Sequence, residues 1–426
     1  MTHAKYYFGG VKCAFWYPAL ALAILLIAMT TPLHAGQSSA RSVGMSEAYI
    51  GLAKGVDAAR YNPANLGLAD YRSTVIELVG VGAEISNSAF SLNDYNKYTG
   101  ATLTAGDKAD ILGKIPDEGL KVDARAEAAA MSASFGQFAF LVSGHGLADI
   151  NLSKDIFELA LNGNTFADTI SVNGSYADAV SYLSFGLSYG YPVYNNGTRQ
   201  MSIGVTAKYL KGLYAEQVVE MEGLAATMAN GFEGEGSIIA QTAEGGSGYA
   251  IDVGVALRLN DTYTAGATLS NLIGSISWSK NPKEYGYIFS FDTMTAANMG
   301  DDYVVSDDYD IPISGFSTTM PKVLTVGIAR TKGSLKYAFD WQQGLQKKPG
   351  ASTKPRLATG VEWSPISFLP LRAGYGTGGG RPSGFSFGFG LHAAMLHLDM
   401  ATVTGNSLSG NSAKGAHVAL SLGIYL

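Results

Sequence analysis

The sequence is nearly free of cysteine. Its single cysteine, Cys13, lies in the stretch that is interpreted below as a cleaved signal. The mature chain then contains no cysteine at all. Disulfides, thiol nucleophiles and thiolate metal ligands are therefore excluded together.

Charge and long apolar runs are also scarce. Charged residues make up 15% of the chain, against about 25% in soluble domains. After Ala35 no apolar run approaches the ~20 residues that a membrane helix requires. Acidic residues number 35 against 29 basic ones, and loss of two lysines with the signal takes the formal net charge from −6 to −8. This acidic balance excludes a nucleic-acid partner.

The first 35 residues have the three parts of a secretory signal peptide. Lys5 and Lys12 provide the basic region, Ala19–Met29 provides the apolar region, and "PLHA" ends on a small residue at Ala35. The apolar run is too short to span a membrane as a helix. We expect residues 1–35 to be removed and the mature protein to reach the bacterial outer membrane.

Strand patterns dominate the rest of the chain, which contains 53 Gly and 24 Tyr. The last stretch, "GAHVALSLGIYL", places Val418, Leu420 and Leu422 on one face, with His417 and Ser421 on the other. An alternation of period two is a strand. One strand of this kind fits either a soluble β-sandwich or a barrel that has lipid outside and a polar lumen inside.

Recurrence of the pattern favours the barrel. About fourteen such segments occur, with aromatic residues near their ends, and short and long connections alternate between them, as in outer-membrane barrels. We predict an all-β fold, a transmembrane antiparallel β-barrel over residues 73–426, with long loops that include 213–246 and 275–320. The segments begin near Ser73, Gly119, Phe138, Ser181, Gln200, Ser247, Thr262, Pro321, Ser334, Pro355, Leu369, Gly384, Ala394 and Gly415.

A helical stretch precedes the first strand. Small and apolar residues recur every three or four positions over Met45–Ala59, which predicts a narrow helix. Asn62 is then a natural N-cap, and Pro63 a natural first residue, of a second short helix. Residues 36–72 are predicted to form a small plug, or hatch, inside the barrel; a periplasmic tail is the alternative.

This stretch, "SARSVGMSEAYIGLAKGVDAARYNPANLGLA", resembles the N-terminal hatch of the long-chain fatty-acid transporter (FadL-like) superfamily, which includes a PorV-like secretion-system branch. Asp57, Asn62, Pro63 and Ala64 occupy the positions of the family's hatch turn, and Asn65 stands where transporters often have glycine. The segments "ELALNGNTF" and "ATLSNLIGSISWSK" also resemble an uncharacterised outer-membrane family. The superfamily resemblance implies a fourteen-stranded barrel that contains a hatch.

Two functions are consistent with this resemblance. One is passive uptake of hydrophobic small molecules across the outer membrane. The other is a non-transporting scaffold or shuttle partner of a type IX-like secretion system, with a protein partner at the extracellular loops. A continuous apolar pocket behind the hatch would favour the first function, and a lumen packed with side chains the second.

Polar residues on the predicted strands mark the lumen. Six of them are expected to line it: Asp123, Arg125, Glu127, His397, Asp399 and His417. In the third strand, Gly144-His145-Gly146 interrupts the pattern and predicts a bulge. Fatty-acid transporters of the resembled superfamily open a kinked third strand sideways, so this site is a candidate lateral gate; relief of crowding against the hatch is the alternative.

Catalytic and metal motifs are weak. Ser143 and His145 share a face without a positioned third member. Gly374–Gly379 matches a glycine-rich phosphate loop but is followed by no helix. The acidic segment Gly300–Asp310 fits either calcium binding or plain surface charge. We therefore predict a non-enzyme without cofactor or metal, whose partners are outer-membrane lipids, a hydrophobic small molecule and a protein at the loops.

Overall fold

The computed structural model describes residues 39–163, 169–295, 304–405 and 410–426. The predicted signal peptide, with Cys13, lies outside the described residues. Within the described ranges, no helix combines the length and the apolarity needed to cross a bilayer.

Fourteen antiparallel strands close into a barrel. Each pairs with its neighbours in chain order, and the last strand returns to the first, with Val75 opposite Tyr425 and Ser86 opposite Gly415. All fourteen predicted strands are confirmed. They are β1 (Val75–Asn87), β2 (Leu120–Phe135), β3 (Phe138–Leu152), β5 (Tyr176–Asn195), β6 (Gln200–Met228), β8 (Gly246–Arg258), β9 (Tyr263–Trp278), β13 (Val323–Lys332), β14 (Leu335–Gly344), β15 (Arg356–Trp363), β16 (Leu371–Gly378), β17 (Arg381–Ala393), β18 (Leu396–Gly405) and β19 (Gly415–Tyr425).

The two faces of the wall differ as the sequence predicts. On β17, Phe385, Phe387 and Phe389 are exposed on the outside, whereas Ser386 is buried on the lumen side. An apolar outer face suits lipid, and closure of the barrel leaves no unpaired strand edge. Connections at one end are short, seven residues at most, which places that end in the periplasm.

The prediction that residues 213–246 and 275–320 are loops is wrong, because both segments contain strands. β6 continues far past the barrel and pairs with β7 (Gly231–Ala243), which pairs with β10 (Lys283–Met294), which pairs with β11 (Val304–Pro312). We call these three strands and the upper part of β6 (Ala215–Met228) the arm. Exposed carboxylates such as Glu220 and Glu222 lie on its inner face, whereas the inner face of the barrel strands is buried against the hatch. The short strands β4 (Thr169–Ser171) and β12 (Phe316–Thr319) pair with β6 and β9.

Helices lie in the hatch and in the extracellular loops. The predicted helix over Met45–Ala59 is wrong: the hatch has α1 (Ala40–Val43), a series of turns, α2 (Val56–Tyr61) and two 3-10 turns, Pro63–Gly67 and Ala69–Tyr71. In the loop after β3, α5 (Lys154–Asn162) begins after Ser153, whose side chain does not cap it. Two further loop helices, α3 (Leu92–Tyr98) and α4 (Ala105–Lys114), begin at capping boxes that the sequence shows, Ser91 with Asp94 and Thr104 with Asp107.

The hatch, residues 39–72, fills the lumen. Most of its apolar side chains are buried, including Met45, Tyr49 and Leu66. Its 3-10 turn packs against β5, β6 and β8, whereas α1 packs against β17, β18 and β19. The hatch therefore contacts opposite sides of the wall.

Candidate functional site

The Asn62 turn seats the hatch against the wall. The Asn62 Oδ1 accepts a hydrogen bond from the N–H of Ala64 at 3.1 Å, and its Nδ2 donates to the carbonyl oxygen of Val255 in β8 at 3.0 Å. Pro63 is the first residue of the 3-10 turn. The predicted cap and its proline are confirmed, and the Asn62 side chain serves the wall as well as the turn.

Two wall glycines allow this close contact. A Cβ on Gly204 of β6 would lie 2.2 Å from the backbone nitrogen of Ala64, and one on Gly254 of β8 would lie 2.1 Å from Asn62 Oδ1. No side chain fits at either distance. The glycine on these strand faces is thus explained by backbone contact with the hatch.

Asp57 holds the hatch together internally. One carboxylate oxygen accepts hydrogen bonds from Ser39 Oγ at 3.0 Å and from the Tyr49 hydroxyl at 3.1 Å. The other accepts from Arg60 at 3.1 Å. Asp57 therefore joins Ser39, at the start of the hatch, to Tyr49 and Arg60 further along it.

A hatch anchor that the sequence did not reveal is Asp340 of β14. Its Oδ2 accepts hydrogen bonds from the backbone N–H groups of Tyr49 and Ile50, at 2.6 and 2.9 Å. These amides belong to the segment predicted as continuous helix. The lone aspartate at a lumen-facing strand position was the only signal in the sequence, and its partners were not predictable.

Arg60 carries the second anchor. Its guanidinium is 2.8 Å from Glu77 of β1 and 3.4 Å from Glu127 of β2. Of the three charged residues predicted on strand two, Glu127 alone forms an ion pair with the hatch. Arg125 lies 3.8 Å from Glu84, and Asp123 pairs with Lys121 at 3.1 Å.

A cluster of opposite charges surrounds the extracellular tip of the hatch. Arg381 donates to Glu84 at 2.7 Å and lies 3.3 Å from Glu47, and Arg356 lies 3.5 Å from Glu47. Burial acts to raise the pKa of Glu47, but Arg381 and Arg356 outweigh it and hold that pKa below its usual range. His417 is buried beside this cluster, on a cavity of about 40 Å³.

This cluster is a poor metal site. The ligand atoms of Glu47, Glu84 and His417 lie within 4.8 Å of one another. However, the arginines already neutralise both carboxylates, and a cation would have to displace Arg381. We interpret the group as a polar clamp on the hatch.

A third charged cluster lies near the periplasmic end. Glu362 accepts from Arg41 of the hatch at 2.8 Å and from Arg372 at 2.8 Å, and Arg372 also donates to Asp399 at 2.6 Å. Asp399 is thus placed in the lumen. His397, at the same end, stacks against His392 at 3.8 Å between ring centroids.

The bulge predicted at Gly144–Gly146 is wrong. β3 keeps an unbroken register with β5 from Phe138 to Asn151. The irregularity lies instead in β2, between Ala129 and Ala133, where Met131 has a φ of 55°. A Cβ on Gly146 would lie 2.8 Å from that of Ala126, so this glycine relieves crowding between strands. The wall is closed here, and the lateral gate stays a prediction.

Ser143 and His145 do have a third neighbour. Ser143 Oγ lies 2.8 Å from His145 Nε2, and Glu127 Oε2 lies 3.9 Å from His145 Nδ1. The second distance exceeds hydrogen-bond reach. Glu127 is also paired with Arg60 of the hatch. Ser143, His145 and Glu127 therefore follow the order of a catalytic triad, but the contact between His145 and Glu127 is too long for a hydrogen bond.

An apolar cluster, missed in the sequence, faces the lumen at the extracellular end. Trp278, at the end of β9, is its centre, and its indole N–H donates to Thr318 at 2.9 Å. We call this group the apolar lumen cluster. It contains Leu147, Val180, Tyr182, Leu210, Ile276, Trp278, Phe316 and Met320.

The remaining sequence motifs have no site geometry. Of the acidic segment, residues 300–303 lie outside the described residues, and Val304–Asp310 belongs to β11, where Asp310 pairs with Lys283. The glycine-rich Gly374–Gly379 forms the end of β16 and the turn to β17. Calcium binding stays an open prediction.

A family model covers most of the barrel. Residues 63–232 and 215–402 match the family of unknown function DUF5723. The chain belongs to this family. None of the curated proteins matches the sequence. The DUF5723 family assignment thus comes without a described activity.

Several solved structures are similar to this DUF5723 chain. The toluene transporter TbuX of Ralstonia pickettii is 13% identical, with 92% of this chain and 98% of that one covered and a TM-score of 0.46. A Pseudomonas aeruginosa FadL homologue is 13% identical, with 92% and 99% covered and a TM-score of 0.48. The P. putida toluene transporter TodX is 12% identical, with 90% and 97% covered and a TM-score of 0.44. Likeness at this level does not indicate a substrate, and the PorV-like resemblance stays a prediction.

Proposed function

We propose that this protein is an outer-membrane barrel for passive uptake of hydrophobic small molecules, closed at rest by its hatch. The apolar lumen cluster carries the proposal. A water-filled pore has a polar lining, whereas Trp278, Leu210 and Ile276 present buried apolar surface on the lumen side. Such surface favours a hydrophobic solute, because its transfer out of water is favourable.

The hatch contacts support a movable closure. Asp340, Glu77 and Glu362 hold the hatch through hydrogen bonds and ion pairs, and the mature chain has no cysteine that could tie it covalently. Exit to the periplasm requires release of these contacts. Exit into lipid requires unpairing of the wall, for which the gate beside Gly144-His145-Gly146 remains our hypothesis.

Residues 1–35 are proposed to direct export as a cleaved signal peptide, residues 36–72 to act as the hatch, and residues 73–426 to span the outer membrane. No catalytic role is proposed for any residue.

A scaffold function is the second candidate, and one observation favours it. Two cavities at the boundary of hatch and wall have volumes of about 40 and 20 Å³, and charged residues such as Arg381 and Asp399 line them. A cavity of roughly 150 Å³ is needed to hold benzene. Uptake therefore requires the hatch to move, whereas a type IX-like scaffold with a protein bound at its loops would not.

A reversible crosslink tests this requirement. Ser46 Oγ of the hatch and Ser386 Oγ of β17 are 2.8 Å apart, close enough for a disulfide after a small shift. In S46C/S386C, oxidation should lower the uptake of a hydrophobic fluorescent probe several-fold, and reduction should restore it. The matched control is T377C/S383C, whose Oγ atoms are also 2.8 Å apart but join two wall strands.

Undiminished uptake with the hatch bridge fully formed would contradict a moving hatch. Deletion of Met45–Leu68 provides the opposite test. The wall strands should still fold, because they contain the complete hydrogen-bond ladder, and permeability to small solutes should rise. Unchanged permeability together with loss of a co-purifying protein would instead support the scaffold.

A further inference from the structure

The arm has a row of aromatic side chains on one face. Tyr287, Phe289 and Phe291 alternate along β10, and Phe232 of β7 extends the row; we call these four the aromatic strip. Ring centroids are 5.8 Å apart for Tyr287 and Phe289, 6.2 Å for Phe289 and Phe291, and 4.9 Å for Phe291 and Phe232. The planes of Phe289 and Phe291 differ by 7°.

The two central rings reach over the neighbouring strand. A Cβ on Gly236 of β7 would lie 2.8 Å from the Phe289 ring tip, and one on Gly234 would lie 2.7 Å from the Phe291 ring tip. These rings therefore lean over the glycines opposite them, and both remain partly exposed. Their planes are nearly parallel, whereas Tyr287 is tilted by 33° from Phe289 and Phe232 by 29° from Phe291.

The strip lies on the outward side of the arm. The opposite face of β7 leads to Ala243, which is fully buried in the lumen, so the strip continues the lipid-facing side of the wall. Phe289 is six residues past Lys283, the start of β10, or about 20 Å along the strand. It therefore lies in the arm, beyond the barrel wall.

Polar groups border the strip on the neighbouring strand. Asp310 is opposite Tyr285, Asp308 opposite Tyr287 and Ser306 opposite Phe289. All three side chains of β11 are exposed. Asp310 pairs with Lys283 at 2.8 Å. These charged groups disfavour an acyl chain, and their carboxylates accept hydrogen bonds from hydroxyl groups.

We propose that the aromatic strip binds the sugar chains of the polysaccharide anchored in the surrounding outer leaflet. Sugar rings have an apolar C–H face, which packs on an aromatic face, and hydroxyls at their rim, which would donate to Asp308 and Asp310. The outward orientation and the distance from the wall place the strip in the saccharide layer above the lipid. This role is independent of what the barrel transports.

The experiment measures binding of delipidated surface polysaccharide from the producing strain to the full-length protein in detergent. F289L/F291L keeps apolar side chains over Gly236 and Gly234 but removes the flat rings, and we expect it to bind roughly tenfold more weakly. The conservative F289Y/F291Y should bind like the parent. The matched control is Y309A on the opposite face, where the Tyr309 ring covers Gly286 in the same way; it should bind normally. Heat-modifiable migration and limited proteolysis of the arm establish folding for each variant.

Maltoheptaose is the comparison ligand, because it is a sugar chain that does not come from the cell surface. Binding of the surface polysaccharide that depends on both phenylalanines supports the proposal. Binding that is unchanged in F289L/F291L, absent in the parent, or observed for maltoheptaose but not for the surface polysaccharide overturns it. If F289L/F291L exposes new proteolytic sites, the single variant F289L decides by the same criteria.

Discussion

The strand β6 passes through two environments, and its two halves obey different rules. In the lower half, Met201, Ile203 and Val205 are exposed on the outer face, while Ser202 and Thr206 are buried against the hatch. In the upper half, Glu220 and Glu222 are exposed on the face that continues the lumen side. Both halves form the same antiparallel ladder.

The difference shows that the surroundings of a strand face (lipid, hatch or water), rather than strand geometry, decide which residues that face requires. Lipid demands an apolar face, and the hatch demands small or hydrogen-bonding residues. Water accepts either kind of face, so the arm can display aromatic side chains on one side and carboxylates on the other. Changes of the same kind should therefore have unequal effects in the two regions.

The largest difference is expected between two Lys–Asp pairs. Lys208 Nζ lies 2.5 Å from Asp252 inside the barrel, whereas Lys283 Nζ lies 2.8 Å from Asp310 on the arm, where both side chains are more than 40% exposed. Lys208→Met should cost about 3–5 kcal/mol, because it leaves a buried carboxylate unpaired. Lys283→Met should cost less than about 1 kcal/mol.

Urea unfolding in liposomes measures both values. The two variants make the same chemical change, so each is the control for the other. Equal shifts in the unfolding midpoint would show that water reaches Asp252 as freely as it reaches Asp310.

The second contrast concerns lipid. Val205, on the outer face of the lower half, and Val219, at a bulge in the upper half, are exposed to similar extents, 41% and 45%. Val205→Arg should cost roughly 2–4 kcal/mol if the site is near the bilayer midplane. Val219→Arg should change stability by about 0.5 kcal/mol or less. Folding yield into liposomes and the urea midpoint measure both, and similar penalties would place the arm in lipid.

The smallest contrast concerns the hatch contact. Gly204→Ala would place a Cβ 2.2 Å from the Ala64 nitrogen, whereas Gly223→Ala in the upper half would meet nothing closer than the Val172 side chain, at 3.1 Å. We expect a cost of about 1–3 kcal/mol for the first and about 0.5 kcal/mol for the second.

Hydrogen exchange gives the sharper measurement for this pair. Amides of Val56–Leu68 should exchange faster in Gly204→Ala, because the hatch is pushed from its seat, while those of β6 stay protected. Unaltered exchange would mean that the wall yields instead of the hatch.

Much of the barrel was predictable because strand faces alternate with period two. Phe385, Phe387 and Phe389 identify the lipid face of β17 wherever the strand lies in the barrel. The Asn62-Pro63 turn was predictable because its cap joins atoms only two residues apart. The arm was not predicted, although aromatic residues recur with period two over Tyr285–Phe291 of β10. The neighbouring strand β7 has no such alternation, because strands with water on both faces need no apolar period.

The lumen shows where prediction from the sequence ended. Asp123, Arg125, Glu127, Asp399 and His417 could be assigned to the inner face, but their partners could not, because ion pairs such as Arg381 with Glu84 join residues hundreds of positions apart. Glu127 contacts the hatch, whereas Asp123 pairs with Lys121 on its own strand. The same limit hid the apolar lumen cluster, which five strands contribute to.

The sequence by itself determined the number of barrel strands, the polarity of their faces and the local chemistry of the hatch turn, since each depends on residues close together in the chain. Only the tertiary structure decided the path that the hatch takes inside the barrel. Met45–Ala59 has helical spacing, yet Asp340 draws the amides of Tyr49 and Ile50 to the wall and Arg356 donates to the carbonyl oxygen of Ser46. The buried Asp340 carboxyl and Arg356 guanidinium gain hydrogen bonds from these backbone groups, and these bonds offset the loss of the helix.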